Sequence, residues 1–254
     1  MMNTKKQRAE LIVALDIDTL AETRELVDKL WDCVDIFKVG SQLFTACGPA
    51  VVRFIEAQGK KVFLDLKYHD IPSTVANAVK AAVGLSVAIE RSADFNGRKG
   101  AKNLGLFMYT VHAAGGRDMM KAAVEAGAQT ASEIGVPRPQ AVGVTVLTSE
   151  EKDDNIRNLV LERAALAKKA GLDGVVASCD EAKLIRQEFG KDFVIVTPGI
   201  RPAGADRQDQ ERVATPSEAV LSGTDYLVVG RPIVKAQDPY QAAKKILQEI
   251  HSIN

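Results

Sequence analysis

The residues best suited to chemistry lie together in segment 65–74, which reads Asp-Leu-Lys-Tyr-His-Asp-Ile-Pro-Ser-Thr. Asp65, Lys67 and Asp70 place two carboxylates and one ammonium within six residues. The apolar run 62–64 before them reads as a buried strand, and because strand side chains alternate, Asp65 and Lys67 should point to the same side. Such a cluster is costly to bury, and at a strand end it indicates catalysis. A surface lysine between two solvated acids is the alternative.

The elements that position this cluster repeat along the whole chain. Short apolar, β-branched runs alternate with Ala-, Leu-, Lys- and Glu-rich helical stretches, which predicts parallel strands joined by right-handed helical crossovers. The predicted strands are 11–15, 34–39, 61–66, 104–112, 140–147, 174–177, 193–197 and 226–229. The clearest predicted helices are 21–31, 73–83, 117–134 and 159–170.

Eight strand–helix units in 254 residues fit a single (β/α)8 TIM barrel over residues 1–254, because that fold takes about 250 residues. An open, doubly wound sheet is the rival fold. It usually carries a glycine-rich turn after its first strand, and the segment from Asp16 to Thr19 contains no glycine. The barrel is therefore favoured.

Composition excludes several classes of partner. Lys plus Arg and Asp plus Glu number 33 each, so we expect neither nucleic acid nor a membrane surface as partner. Cys33, Cys47 and Cys179 are widely spaced and read as buried thiols in a reducing compartment. The chain shows no signal-peptide pattern and no transmembrane-length apolar run, so we expect a cytoplasmic protein. No HxH or HExxH spacing is present, and we expect no metal site.

One polar segment, residues 84–103, interrupts the strand–helix rhythm. It is longer than a usual helix-to-strand loop. A loop of that kind lies on the barrel face opposite the active site, which favours a solvent-exposed insertion over a binding role.

Catalytic residues of a barrel lie at the carboxyl ends of its strands. Asp16 follows the first predicted strand, Lys38 lies near the end of the second, and Thr148 follows the fifth. His112, at the end of the fourth, is a candidate general base, although satisfying backbone hydrogen bonds is the commoner role for a histidine there.

The last two strand ends predict a phosphate site. Barrels often bind phosphate between the loops after strands seven and eight, where Arg201 follows Pro-Gly-Ile and Arg231 lies between Gly230 and Pro232. Guanidinium groups bind phosphate through paired hydrogen bonds. The polar segment 201–212 reads as a loop that either closes over the phosphate or forms plain surface.

At this point the sequence resembles a known family. Residues 63–75, Phe-Leu-Asp-Leu-Lys-Tyr-His-Asp-Ile-Pro-Ser-Thr-Val, resemble the signature of the orotidine 5′-phosphate decarboxylase family. Further blocks at 15–16, 37–40, 110–116, 146–149, 197–201, 209–216 and 228–233 resemble that family in its order, so the resemblance covers nearly the whole chain. Residues 84–103 depart from it, being longer than in most bacterial members.

The resemblance implies a cofactor-free decarboxylation of orotidine 5′-phosphate to uridine 5′-phosphate, the last step of de novo pyrimidine nucleotide synthesis. It implies a homodimer with shared active sites, in which Asp65 and Lys67 act within one chain while Asp70 and Thr74 reach the partner's site. The remaining roles that it implies are ribose binding by Asp16 and Lys38, pyrimidine binding by Thr148, phosphate binding by Gln210, Gly230 and Arg231, and support of the closing loop by Arg201.

Two other functions remain open from the sequence. Sugar-phosphate enzymes of the same superfamily resemble the chain in Asp-x-Lys-x-x-Asp but use the acids to bind Mg²⁺. Ile71 to Thr74, which follows this motif, belongs to the nucleotide enzyme's pattern. A non-catalytic phosphate-binding barrel is a different class of answer, disfavoured because Asp65, Lys67 and Asp70 are all intact.

Overall fold

Eight parallel strands close into a barrel in which every strand pairs with its neighbours in sequence and β1 pairs with β8. The computed structural model describes residues 9–88, 105–147, 154–202 and 213–253. The prediction of a (β/α)8 barrel is confirmed. Within those residues, no helix combines the length and the apolar character needed to cross a membrane.

The strands are β1 (Glu10–Ala14), β2 (Ile36–Gly40), β3 (Lys61–Tyr68), β4 (Met108–His112), β5 (Gln140–Val144), β6 (Gly174–Val176), β7 (Val194–Thr197) and β8 (Tyr226–Val229). The helices are α1 (Leu20–Leu30), α2 (Ser41–Cys47), α3 (Pro49–Ala57), α4 (Pro72–Gly84), α5 (Gly116–Ile134), α6 (Asp154–Lys169), α7 (Cys179–Phe189), α8 (Pro216–Leu221), α9 (Arg231–Val234) and α10 (Pro239–Ile253).

Alternation along each strand divides the core into two layers. Inward-facing side chains fill the barrel below its mouth, and these are chiefly Ile12, Ile36, Phe63, Met108, Val142 and Val196. Outward-facing side chains pack against the surrounding helices in a larger cluster. The interior is therefore solid, and a ligand can enter only at the end of the barrel where this packing stops.

The longest strand, β3, is irregular where the charged residues begin. Phe63 pairs with Met108 and Leu64 with Tyr109, but the next pair is Tyr68 with Val111. Between these last two pairs β3 therefore contains two more residues than β4 does. Such a bulge changes the direction in which the neighbouring side chains point. Lys67 lies inside it with a φ of +52°, in the left-handed region that residues other than glycine rarely adopt.

Several predicted boundaries were wrong in detail. The fourth strand begins at Met108 rather than 104, and the fifth ends at Val144 rather than 147. The start of the polar segment 84–103 is helical, since α4 includes Gly84 and a 3₁₀ helix follows at Leu85–Ala88. The rest of that segment lies outside the described residues.

The three cysteines are free thiols, each half-buried rather than fully buried.

Candidate active site

A cavity of about 220 Å³ opens at the carboxyl ends of the strands. Its walls combine charged side chains from the strand ends with apolar ones from the top of the barrel core. The lining residues used below are Asp16, Lys38, Asp65, Lys67, Arg201, Gly230 and Arg231. The strand-end prediction thus brought together residues that lie more than 200 positions apart in the chain.

Four side chains, one just after β1, one on β2 and two on β3, form an alternating row of charges. Lys38 Nζ lies 3.3 Å from Asp16 Oδ1 and 3.6 Å from Asp65 Oδ2. Lys67 Nζ donates to the same Asp65 oxygen at 2.8 Å. The row reads acid, base, acid, base, so each carboxylate contacts at least one ammonium group. This contact agrees with the prediction that Asp65 and Lys67 point to the same side, although Lys67 lies in a bulge and not in a regularly alternating strand.

Asp65 is the buried centre of this row, with 8% of its surface exposed. Burial raises the pKa of its carboxyl group. The ammonium groups of Lys38 and Lys67, together with hydrogen bonds from Lys67 and Thr110, lower this pKa by more than burial raises it. The net shift is downward. Asp65 is therefore an anion at neutral pH and lies in the wall of the cavity.

The opposite wall carries two arginines. β7 stands four places from β3 in the closed order of eight strands, so Arg201, just beyond β7, lies across the mouth from Asp65. Arg201 is buried and donates to the carbonyl oxygen of Ile200 at 3.0 Å. Arg231 follows β8 and begins α9. Together they make a positive wall suited to an anion.

Gly230 brings the backbone close to the charged row. A Cβ placed there would lie 3.0 Å from Asp16 Oδ2, tighter than a side chain normally tolerates. Any larger residue at this position would require the Asp16 carboxylate to shift by a few tenths of an ångström, so glycine allows the backbone after β8 to approach Asp16 closely. This close approach joins the arginine wall to the acid–base row in one site.

The loop predicted at 201–212 is anchored at both ends. Arg201 N–H donates to the Ala214 carbonyl at 2.9 Å, and Ala214 N–H donates to the Gly199 carbonyl at 3.2 Å. Arg201, where the loop was predicted to begin, has irregular backbone that is held by this pairing, and residues 203–212 lie outside the described residues. Gln210 lies outside the described residues, as does Thr148.

Asp70 and Thr74 are not among the described residues that line the cavity. Both are exposed: Thr74 lies in the first turn of α4, and Asp70 Oδ1 accepts a hydrogen bond from Ile71 N–H at 2.6 Å. Within one chain, then, the structure separates Asp70 from Asp65 and Lys67. The six-residue cluster does not form a single triad.

The chain matches the model of the "Orotidine 5′-phosphate decarboxylase / HUMPS family" over residues 9–246. It belongs to this family. The match includes every strand and all the residues of the charged row, so the resemblance drawn from short motifs extends to the complete barrel.

Relatives within the family share nearly the full length of the chain. The orotidine 5′-phosphate decarboxylase of Syntrophotalea carbinolica is 48% identical over 252 residues, covering 96% of this chain and 95% of the relative. That of Moorella thermoacetica is 46% identical, with 96% and 93% covered. The crystal structure of orotidine 5′-phosphate decarboxylase from Lactobacillus acidophilus superposes with a TM-score of 0.74 at 36% identity, covering 96% and 99%.

Two features of this family member's site were not predicted from the sequence. Thr110 on β4 contacts both Asp65 and Lys67, and its signal was only its place on the strand beside β3. The His112 ring lies near that of His69, with 5.4 Å between ring centroids and the two planes tilted by 39°. Burial, His69 and Lys67 lower the pKa of His112, which favours a neutral imidazole.

Proposed function

We propose that the chain decarboxylates orotidine 5′-phosphate to uridine 5′-phosphate, completing pyrimidine nucleotide synthesis. One observation carries this function: the ammonium of Lys67 is held 2.8 Å from the buried Asp65, inside the same cavity as two arginines. That arrangement supplies a cation for a developing carbanion and a separate anchor for phosphate. Family membership and near full-length relatives with this activity in their names support the same conclusion.

The chemical problem is an electron pair that has no conjugated sink. When CO2 leaves C6 of the pyrimidine, the electron pair stays in the ring plane, apart from the π system. Lys67, as ammonium, stabilises this carbanion and then delivers its proton to C6, which leaves a neutral amine and a C–H bond. Of the two ammonium groups that contact the Asp65 carboxylate, that of Lys67 is the closer. A substrate carboxylate that is placed beside Asp65 therefore also lies next to Lys67.

Repulsion from Asp65 helps but cannot account for the rate. Two carboxylates about 4 Å apart repel by roughly 4 kcal/mol at an effective dielectric constant near 20. Difficult reactions require barrier reductions of up to about 23 kcal/mol. Most of the effect must therefore come from stabilising the transition state, with phosphate binding used to order the site.

The other roles follow the walls of the cavity. Asp16 and Lys38 bind the ribose hydroxyls, because their paired charges lie between the Asp65–Lys67 pair and the Gly230 backbone. Arg231 and the Gly230 backbone bind the phosphate, and Arg201 supports the adjacent loop. We further propose that Thr148 binds the pyrimidine edge and that Gln210 binds the phosphate; this rests on motif position.

The direct experiment follows the loss of orotidine 5′-phosphate absorbance with purified protein and a chelator present. We expect turnover that is insensitive to the chelator. Absence of turnover would refute the proposed function. Turnover that chelation abolishes and Mg²⁺ restores would instead favour the metal-dependent chemistry of the sugar-phosphate enzymes that share the Asp-x-Lys-x-x-Asp pattern.

We also propose a homodimer whose active sites are shared. Residues 69–74 form a continuous exposed run beside the cavity, and within it Ile71 has 64% of its surface exposed. An apolar side chain between Asp70 and Thr74 is suited to contact with a second copy. That contact carries Asp70 and Thr74 into the partner's cavity.

Mixing two inactive variants tests this sharing. In a mixed dimer of Lys67→Ala and Asp70→Asn, one site receives both defects and the other receives none. Random exchange of subunits makes half of the dimers mixed, so about one quarter of wild-type activity should return. As the matched control, Lys67→Ala mixed with Asp65→Asn should recover nothing, because both residues serve the same site. No recovery in the first mixture would contradict shared sites.

A further inference from the structure

Thr110 is a fully buried residue in the middle of β4 whose hydroxyl connects the two central charged residues. Its Oγ1 accepts the backbone N–H of Lys67 at 2.8 Å. The same oxygen donates its proton to Asp65 Oδ1 at 3.1 Å. A hydroxyl has one proton and two lone pairs, so it can make both bonds at once.

Lys67 needs this bond because of its backbone conformation. Its φ of +52° is unfavourable for a residue with a Cβ, and it persists only where the surroundings fix it. The ladder between β3 and β4 skips Lys67, passing from Leu64 to Tyr68. The Thr110 hydroxyl thus takes the place of a strand partner for the Lys67 N–H.

Asp65 depends on the same hydroxyl from the other side. Its Oδ2 faces Lys38 and Lys67, while Oδ1 faces Thr110. The hydroxyl therefore fixes the carboxylate plane and leaves Oδ2 turned toward the ammonium groups. One atom of β4 sets both the backbone of Lys67 and the rotation of Asp65.

We propose that Thr110 is a positioning residue for the reaction, holding the bulged backbone of Lys67 and the carboxylate of Asp65 in register. The proposal rests on the proposed function, because it assigns these two residues to the chemical step. Thr110 does not line the cavity and acts only through them. Its loss should change kcat much more than substrate affinity, since misplacement of reacting groups by about 1 Å can cost about 100-fold.

The test compares Thr110→Val with Thr110→Ser. Valine keeps the branched shape and strand propensity but removes both hydrogen bonds, whereas serine keeps the hydroxyl. For Thr110→Val we expect kcat to fall about 10- to 100-fold while KM changes less than about threefold. For Thr110→Ser we expect kcat within about threefold of wild type. Amide hydrogen exchange at Lys67 should accelerate at least about tenfold in the valine variant and not in the serine variant.

Thr224→Val is the matched control. Thr224 is also buried, and its hydroxyl pairs with that of Thr197 at 2.8 Å, away from the cavity lining. The Thr224→Val variant should lose thermal stability but keep the kcat of the wild type. Equal losses of kcat in the valine and serine variants, or an unchanged kcat in Thr110→Val, would overturn the proposal. Lys67 exchange that is unchanged in Thr110→Val would overturn it independently of any activity, so a failure of the proposed function remains distinguishable.

Discussion

Replacing Lys67 by alanine separates catalysis from binding and from folding. Asp65 would lose its partner at 2.8 Å but keep Lys38 at 3.6 Å and the Thr110 hydroxyl at 3.1 Å. The buried carboxylate therefore remains compensated. The variant should fold and bind uridine 5′-phosphate nearly as well as wild type does, because the residues proposed to bind phosphate and ribose are other residues of the cavity lining.

Two separate contributions to the rate disappear with the ammonium group. A cation about 4 Å from a developing carbanion contributes about 4 kcal/mol at an effective dielectric constant near 20, or roughly 10³ in rate. A positioned proton donor contributes a further factor of about 10² to 10⁴. The expected loss of kcat is thus on the order of 10⁵ to 10⁷.

The assay is single-turnover decarboxylation with enzyme in excess, together with calorimetric binding of uridine 5′-phosphate. Lys183→Ala, an exposed lysine of α7, controls for general effects of removing a lysine and should change neither quantity. A Lys67→Ala rate within tenfold of wild type would refute the assignment of the carbanion and the proton transfer to Lys67. So would a loss of nucleotide binding as large as the loss of rate.

Three other changes test separate parts of the structure. Arg231→Ala should raise the KM for orotidine 5′-phosphate about 100-fold or more, since bonds to a charged group contribute about 1.5–3 kcal/mol each; an unchanged KM would place the phosphate elsewhere. Lys38→Met removes the closest cation after Lys67, so the pKa of Asp65 should rise and the acid limb of the kcat/KM profile should move to higher pH; an unmoved limb would contradict this electrostatic role. Burial raises the pKa of Glu56 to about 7 from 4.5 although Ser86 donates to it at 3.0 Å, so the native state binds the proton more tightly than the unfolded chain. The contribution of Glu56 to the free energy of unfolding should therefore be fully present below about pH 4.5 and fall by about 3 kcal/mol as pH rises to about 7, so the difference between wild type and Glu56→Gln in denaturant titrations should change by this amount over that range.

The barrel and its working end could be predicted because both depend on local patterns. Short apolar, β-branched runs mark the strands, and a parallel closed sheet gathers all their carboxyl ends at one mouth. This was enough to place Asp16, Lys38 and Arg231 in one cavity. The start of β4 was predicted too early because apolar residues precede the paired strand. The apolar run 104–112 is therefore longer than β4 itself, which is Met108–His112.

Contacts between neighbouring strands were beyond sequence reasoning. The bulge in β3 changes its register against β4. The residue types in this segment do not indicate that Lys67 adopts a positive φ. Register determines which β4 residue faces Asp65, so Thr110 could not be identified without the pairing. Segment 69–74 shows a second limit of sequence reasoning. Asp70 lies close to Lys67 in the sequence but does not line the same cavity.

The alternating row of charges explains how a buried carboxylate can face an anionic substrate without destabilising the empty site. Asp16, Lys38, Asp65 and Lys67 sum to no net charge, so Asp65 stays ionised by its neighbours and not by the substrate. In the proposed function the phosphate binds instead at the wall formed by Arg231 and the Gly230 backbone, which follow β8, three strands away from β3. Binding energy gathered at that far wall can then hold the substrate carboxylate against Asp65, and the repulsion is relieved only as CO2 departs. In the proposed mechanism the separation of the two walls lets phosphate binding position the substrate carboxylate beside Asp65 and Lys67, while repulsion by Asp65 supplies only the smaller part of the barrier reduction.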